Sequence, residues 1–164
     1  MAIEYILDGY NIIKSDESGV LTKGSLQEQR ERFISLLNET HPQGSKRNRL
    51  VIVFDGPYDA PYSGNFPRFF SGFVEVIFSE GVSADERIER LIREETHAPE
   101  TVVVSDDRGL RRMLGGSGVQ FMSVAEFTKR MKKGSRANSG SNARANHDES
   151  MQHIDRELKK HWLK

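Results

Sequence analysis

The sequence predicts an α/β fold built on a mainly parallel, doubly wound sheet, and three observations carry that prediction. Short apolar runs, Tyr5-Ile6-Leu7, Val51-Ile52-Val53-Phe54 and Val102-Val103-Val104, are each bounded by turn residues and read as strands buried on both faces. Amphipathic helical stretches alternate with these runs, which argues for parallel strands joined by right-handed crossovers. At 164 residues the chain is long enough to bury one core of ordinary size.

The first strand is expected over residues 3–7. A helix follows over 26–37, with apolar positions 26, 33, 36 and 37 on one stripe and Ser25 as its N-cap. The second strand covers 50–54. Residues 56–72 are rich in proline, glycine and aromatics and read as a long turn segment. Residues 73–78 form a third strand, less buried than the others because Glu75 interrupts it. Ser83-Ala84-Asp85-Glu86 opens a helix through a capping box, with apolar positions 84, 88, 91 and 92 aligned. A fourth strand at 101–105, a short helix at 108–114, a fifth strand at 119–122 and a helix at 124–131 complete the pattern. Residues 1–131 are therefore expected to be one domain. Residues 132–148, made of Gly, Ser, Asn, Arg and Lys without apolar periodicity, read as a flexible basic linker. Residues 149–164 recover a helical stripe at Met151, Ile154, Leu158 and Trp162.

The buried runs share their C-terminal punctuation: Asp8-Gly9, Asp55-Gly56 and Ser105-Asp106-Asp107. In an open parallel sheet the carboxyl ends of the strands share one edge, where ligands bind. Carboxylates gathered there repel one another unless a cation sits among them. A hard-oxygen site for Mg²⁺ or Mn²⁺ follows, and with it phosphoryl-transfer chemistry. Asp106 and Asp107 are alternative ligands at the same strand end. Asp85 either complements a helix dipole or joins the set. Asn11, just after Asp8, has an amide able to orient a carboxylate, a water or a phosphate oxygen. Asp-Gly is also a common turn dipeptide, but its repetition after buried strands favours a shared site.

Cysteine is absent, which excludes disulfides, zinc thiolates and thiol catalysis. No apolar run approaches the ~18 residues of a membrane span, so a soluble, cytoplasmic protein is expected, with no membrane partner. The net charge of zero conceals an asymmetry. Residues 1–126 hold 14 Lys/Arg against 20 Asp/Glu, a balance of −6, and residues 127–164 hold 10 against 4, a balance of +6. An acidic site beside a basic appendage predicts contact with nucleic acid. Lys132, Lys133 and Arg136 belong to that appendage, and Arg108, Arg111 and Arg112 follow the acidic strand end. Arg68 lies among Tyr58, Tyr62, Phe66, Phe69 and Phe70, a mixture that stacks RNA bases or buries itself under the loop.

Asp8-Gly9-Tyr10-Asn11, Val53-Phe54-Asp55-Gly56, Ser83-Ala84-Asp85 and Ser105-Asp106-Asp107 together resemble the YacP-like NYN domains of the PIN-like nuclease superfamily, over about residues 1–130. The resemblance implies a three-layer PIN-like fold whose central, mainly parallel sheet has the order 3-2-1-4-5. It also implies a metal-dependent endoribonuclease cleaving single-stranded RNA, in RNA processing or mRNA decay, with RNA and the ribosome as partners. By position, Asp8, Asp55, Asp85 and Asp106 would be the acidic site and Asn11 its polar partner. The competing readings are a non-catalytic RNA- or ribosome-binding adaptor and a metal-dependent phosphatase. The haloacid-dehalogenase kind of phosphatase requires an Asp two residues after its nucleophile, where this chain has Tyr10.

Overall fold

The computed structural model describes residues 2–94 and 100–138. They form two compact units, residues 2–12 with 43–94 and 100–124, and residues 13–42 with 125–138. The first unit holds strands β1 (Ile3–Asp8), β2 (Arg49–Phe54), β3 (Arg68–Ser71), β4 (Val74–Phe78), β5 (Glu100–Val104) and β6 (Gln120–Met122), with helices α3 (Ala84–Glu94) and α4 (Arg108–Met113). Helix α1 (Gly9–Lys14) begins in this unit and ends in the second, which also holds α2 (Leu26–Thr40) and α5 (Val124–Asn138).

One sheet of order β3-β4-β2-β1-β5-β6 organises the first unit. Every neighbouring pair is parallel except β3–β4. With β3 set aside, the remaining strands keep the order expected from the family resemblance. Strand β3 is the addition, taken from the segment read as turns. Its alternating exposure over Arg-Phe-Phe-Ser is the period of a half-buried edge strand, and Gly72 at φ 64° turns it back into β4. This cover corrects the expectation for β4, which is buried along its whole length. Glu75 is tolerated there because Arg68 and Arg49 both reach it.

Ile6, Val51, Val53, Ile77 and Val103 on one sheet face pack with Ala84, Ile88 and Leu91 of α3 and Leu110 of α4. Strand register then sets the site: Asp8 lies beside Val53, Leu7 beside Val104, and Phe54 beside Phe78. The carboxyl ends of β1, β2, β4 and β5 thus share one rim.

The helices differ from the sequence reading in extent. Residues Gly9–Lys14, given no element in the sequence reading, form α1. A Cβ at Gly9 would lie 2.6 Å from the Phe54 ring, which reserves the position for glycine. Helix α2 runs on to Thr40. Helix α5 runs to Asn138, beyond the expected end at residue 131. In the second unit Phe33, Leu36, Leu37, Phe127 and Met131 are buried, and Ser25 caps α2 by accepting the Glu28 N–H at 3.2 Å. Residues 139–148 of the expected linker and the whole expected helix at 149–164 lie outside the described residues. Among those described, no helix is long and apolar enough to cross a membrane.

Candidate metal centre

Asp8 ends β1 and is only 8% exposed, so its carboxylate is set into the rim rather than on it. Ser105, fully buried at the end of β5, presents its hydroxyl to Asp8 Oδ2 at 3.0 Å and to Asn11 Oδ1 at 3.3 Å. The same Ser105 oxygen accepts the Asp107 N–H at 3.0 Å. Asn11 Oδ1 accepts the Asp106 N–H at 3.0 Å, fastening α1 to the β5–α4 turn. One serine and one asparagine thereby fix the relative positions of Asp8 and the acidic pair after β5.

Asp107, not Asp106, turns toward Asp8. Among the described residues, Asp8, Asp85 and Asp107 each offer a carboxylate oxygen within 4.8 Å of the other two. Asp107 Oδ1 also caps α4, accepting the N–H groups of Gly109 at 2.7 Å and Leu110 at 3.2 Å. Asp106 is exposed and spends Oδ1 on the Val124 N–H at 3.0 Å, at the start of α5. Of the two alternatives that the sequence left open at this strand end, Asp107 is the one grouped with Asp8 and Asp85.

Asp85 arrives from the first turn of α3. Ser83 accepts the Glu86 N–H at 3.1 Å as the capping box requires, and this leaves Asp85 to face the rim. Asp55 is more exposed and lies outside the tight group of three. Its Oδ1 accepts the Ala84 N–H at 3.1 Å and the Ser79 hydroxyl at 3.3 Å, and Ser79 in turn accepts the Gly56 N–H at 2.9 Å. Neither Ser105 nor Ser79 was singled out from the sequence. The available signal was a serine immediately following each buried run, Val104-Ser105 and Phe78-Ser79.

The electrostatics follow from this packing. Burial pushes the Asp8 carboxyl up from 3.8 to about 6, opposed by the Ser105 hydrogen bond and reinforced by Asp85, Asp107 and Asp55. Burial also raises Asp85, with Asp107 and Asp55 adding to the effect. Carboxylates that are costly to ionise as a group are what a cation stabilises. The donor set is wholly oxygen, suited to a hard divalent ion and not to a soft one.

The expected RNA-contacting residues divide. Tyr58 stacks on Phe78 with centroids 5.0 Å apart and Phe69 lies 5.1 Å from Tyr58, so these rings pack inward. Phe66 packs against the core below Arg87, whose guanidinium is 4.1 Å from the ring. Tyr62 and Phe70 stay exposed. Arg68 reaches Glu75 at 2.6 Å. Arg111 approaches the Ser105 carbonyl at 3.5 Å, while Arg108 and Arg112 are exposed on α4. Lys132 and Lys133 lie on α5, and the Arg136 side chain is outside the described residues.

The family model of the YacP-like NYN domain matches residues 5–164 of the sequence. The chain belongs to the YacP-like NYN domain family. Two solved structures are similar to it. A mutant of Rae1 (YacP) from Bacillus subtilis is 26% identical, with 87% of each chain covered and a TM-score of 0.63. A second crystal structure of Rae1 (YacP) from Bacillus subtilis is 24% identical over 96% of this chain and 82% of that one, also with a TM-score of 0.63, and bears on the fold alone. No curated protein matches the sequence. Membership of this family supports a nuclease-type, RNA-related function on a PIN-like fold.

Proposed function

We propose that this YacP-like NYN protein is a Mg²⁺- or Mn²⁺-dependent endoribonuclease that hydrolyses phosphodiester bonds of single-stranded RNA in the cytoplasm, on free or ribosome-bound transcripts. The observation that carries the reading is the convergence of Asp8, Asp85 and Asp107 within 4.8 Å at the carboxyl rim of a parallel sheet. These three would hold the ion. When bound, a divalent ion lowers the pKa of water and stabilises charge on the phosphoryl and leaving oxygens.

The remaining residues act by orientation. Ser105 holds Asp8 Oδ2 in place, so the most buried carboxylate has its geometry fixed before an ion arrives. The Asp107 cap on α4 occupies Oδ1 and directs its other oxygen elsewhere. Asn11 holds the β5–α4 turn against α1. Asp55 adds negative field at Asp8 and Asp85 and so increases the group's demand for a cation. Arg108 and Arg112 supply positive charge on the helix that Asp107 caps, where substrate phosphates would need it. The test is incubation of end-labelled single-stranded RNA with the protein in Mn²⁺ and in EDTA. Internal cleavage confined to the Mn²⁺ arm supports the proposal, and cleavage undiminished by EDTA refutes it.

A further inference from the structure

A second constellation of charge gathers near the starts of β1, β2 and β4, and Arg68 reaches it from the rim-side end of the edge strand β3. Glu4 near the start of β1 and Glu75 in β4 are each 6% exposed, and Arg49 at the start of β2 bridges them. Its Nη1 stands 3.4 Å from Glu4 and its Nη2 3.5 Å from Glu75, whose other oxygen takes Arg68 at 2.6 Å. These four line an open pocket of about 190 Å³ floored by Val51 and Ile77.

The arrangement is polarised. The carboxylates are sunk into the sheet, whereas the Arg49 and Arg68 side chains are 51% and 36% exposed. The quartet is formally neutral, yet its positive ends face outward, with Lys46 and Arg47 exposed on the turn just before β2. Apolar residues at the two Glu and two Arg positions would close the core at least as stably, since a buried ion pair is often no better than a hydrophobic replacement. What the charges add is a pair of guanidiniums that reach the same carboxylate, Glu75, by one contact each. Such a preorganised pair matches the geometry of a phosphate.

Along β1, Glu4 is four residues from Asp8, roughly 13 Å at the rise of a strand. A strand of a few nucleotides is long enough for a separation of that order, and a mononucleotide is not. Phe70, on the same edge strand as Arg68, is 67% exposed and offers a ring for stacking.

We propose that Arg49 and Arg68 form a phosphate-binding subsite that anchors the RNA strand a few nucleotides away from the acidic cluster. The proposal rests on RNA being the substrate, but it is read by binding and does not require cleavage. The test measures affinity of the full chain, in EDTA, for a long and a very short single-stranded RNA across a range of salt. Arg49→Gln should weaken the long RNA about three- to tenfold and reduce the log–log salt slope by about 0.7, leaving the short RNA unaffected. Because Arg49→Gln removes the guanidinium that reaches Glu4 and leaves Arg68 on Glu75, an Arg49→Gln/Glu4→Gln variant preserves the Arg68–Glu75 pair with no change in net charge, and the same loss is expected with a native melting curve. Unchanged affinity and slope in both variants would overturn the subsite while leaving Mn²⁺-dependent cleavage by the wild type as a separate question. A titration with inorganic phosphate distinguishes the other source of the same chemistry. If Arg49→Gln abolishes phosphate binding but spares long RNA, the pocket serves a free anion and the RNA anchor is refuted.

Discussion

Asp8 is where burial and charge conflict most. A carboxyl whose folded value is about 6 against an ordinary 3.8 binds its proton more tightly in the folded protein. In metal-free protein the penalty is absent below about 3.8, grows as pH rises to about 6, and is complete above that. At about 1.4 kcal/mol per tenfold change it reaches about 3 kcal/mol, an upper figure. In EDTA, thermal melts should show wild-type stability rising as pH falls from 7 to 5 relative to Asp8→Asn, which has no such proton to take up. At pH 7 Asp8→Asn should be the more stable protein and should cleave no RNA. A variant less stable than wild type at pH 7 would mean that the cost of burying the charged carboxylate is not felt there. The pair after β5 gives a second contrast. Asp107→Asn should cost metal-dependent cleavage at least tenfold. Asp106→Ala should cost about 1 kcal/mol of stability by removing the acceptor of the Val124 N–H and retain most cleavage. Relative rates and melts of the two variants decide between them. The sequence left this pair unresolved because both follow one strand end, and only the handedness of the turn separates them.

Single glycines show which elements were legible. The apolar strands and the helices beginning at Leu26 and Ala84 were readable because their periodicity and caps agree. Strand β3 was not, because two exposed and two half-buried residues between prolines and glycines carry too little pattern. The length of α5 was hidden for another reason. Gly134 interrupts a polar stretch that looks unstructured, yet it lies where α5 meets the end of α2. Any Cβ there would overlap the Thr40 carbonyl, so the glycine marks a close backbone approach. Gly→Ala inside a helix ordinarily stabilises by about 1 kcal/mol. Gly134→Ala should instead destabilise by about 1–3 kcal/mol, because one backbone must move away from another. Equilibrium urea unfolding reads the sign directly, and a stabilised variant would show that the helices do not approach so closely.

Across the whole chain, acidic and basic residues are segregated in a way that fits an RNA enzyme. The acidic balance belongs to residues 1–126, and the basic balance to residues 127–164. No acidic residue interrupts positions 127–147. Neutralising Lys132, Lys133, Arg136 and Arg144 together should therefore weaken RNA binding and flatten its salt dependence, by up to about 0.7 in slope for each phosphate no longer neutralised. Metal binding should be unchanged, and an unchanged salt slope would place the RNA track elsewhere. The sheet edge of the acidic site was legible from the sequence because buried strands end in Asp there, although of Asp8, Asp55 and Asp106 only Asp8 belongs to the tight group. Its supporting serines and the Arg49–Glu75–Arg68 network were not, since residues far apart in the chain meet there only through strand register.

The central claim is that Asp8, Asp85 and Asp107 together form a divalent-metal site. Calorimetric titration of Mn²⁺ into the metal-free wild type and into Asp8→Asn tests it most directly, because it requires no knowledge of the RNA substrate. The wild type should bind Mn²⁺ stoichiometrically with release of protons near pH 6, where Asp8 is part-protonated, and Asp8→Asn should lose that binding. Equal Mn²⁺ affinity in the two proteins, or none in the wild type, would contradict it.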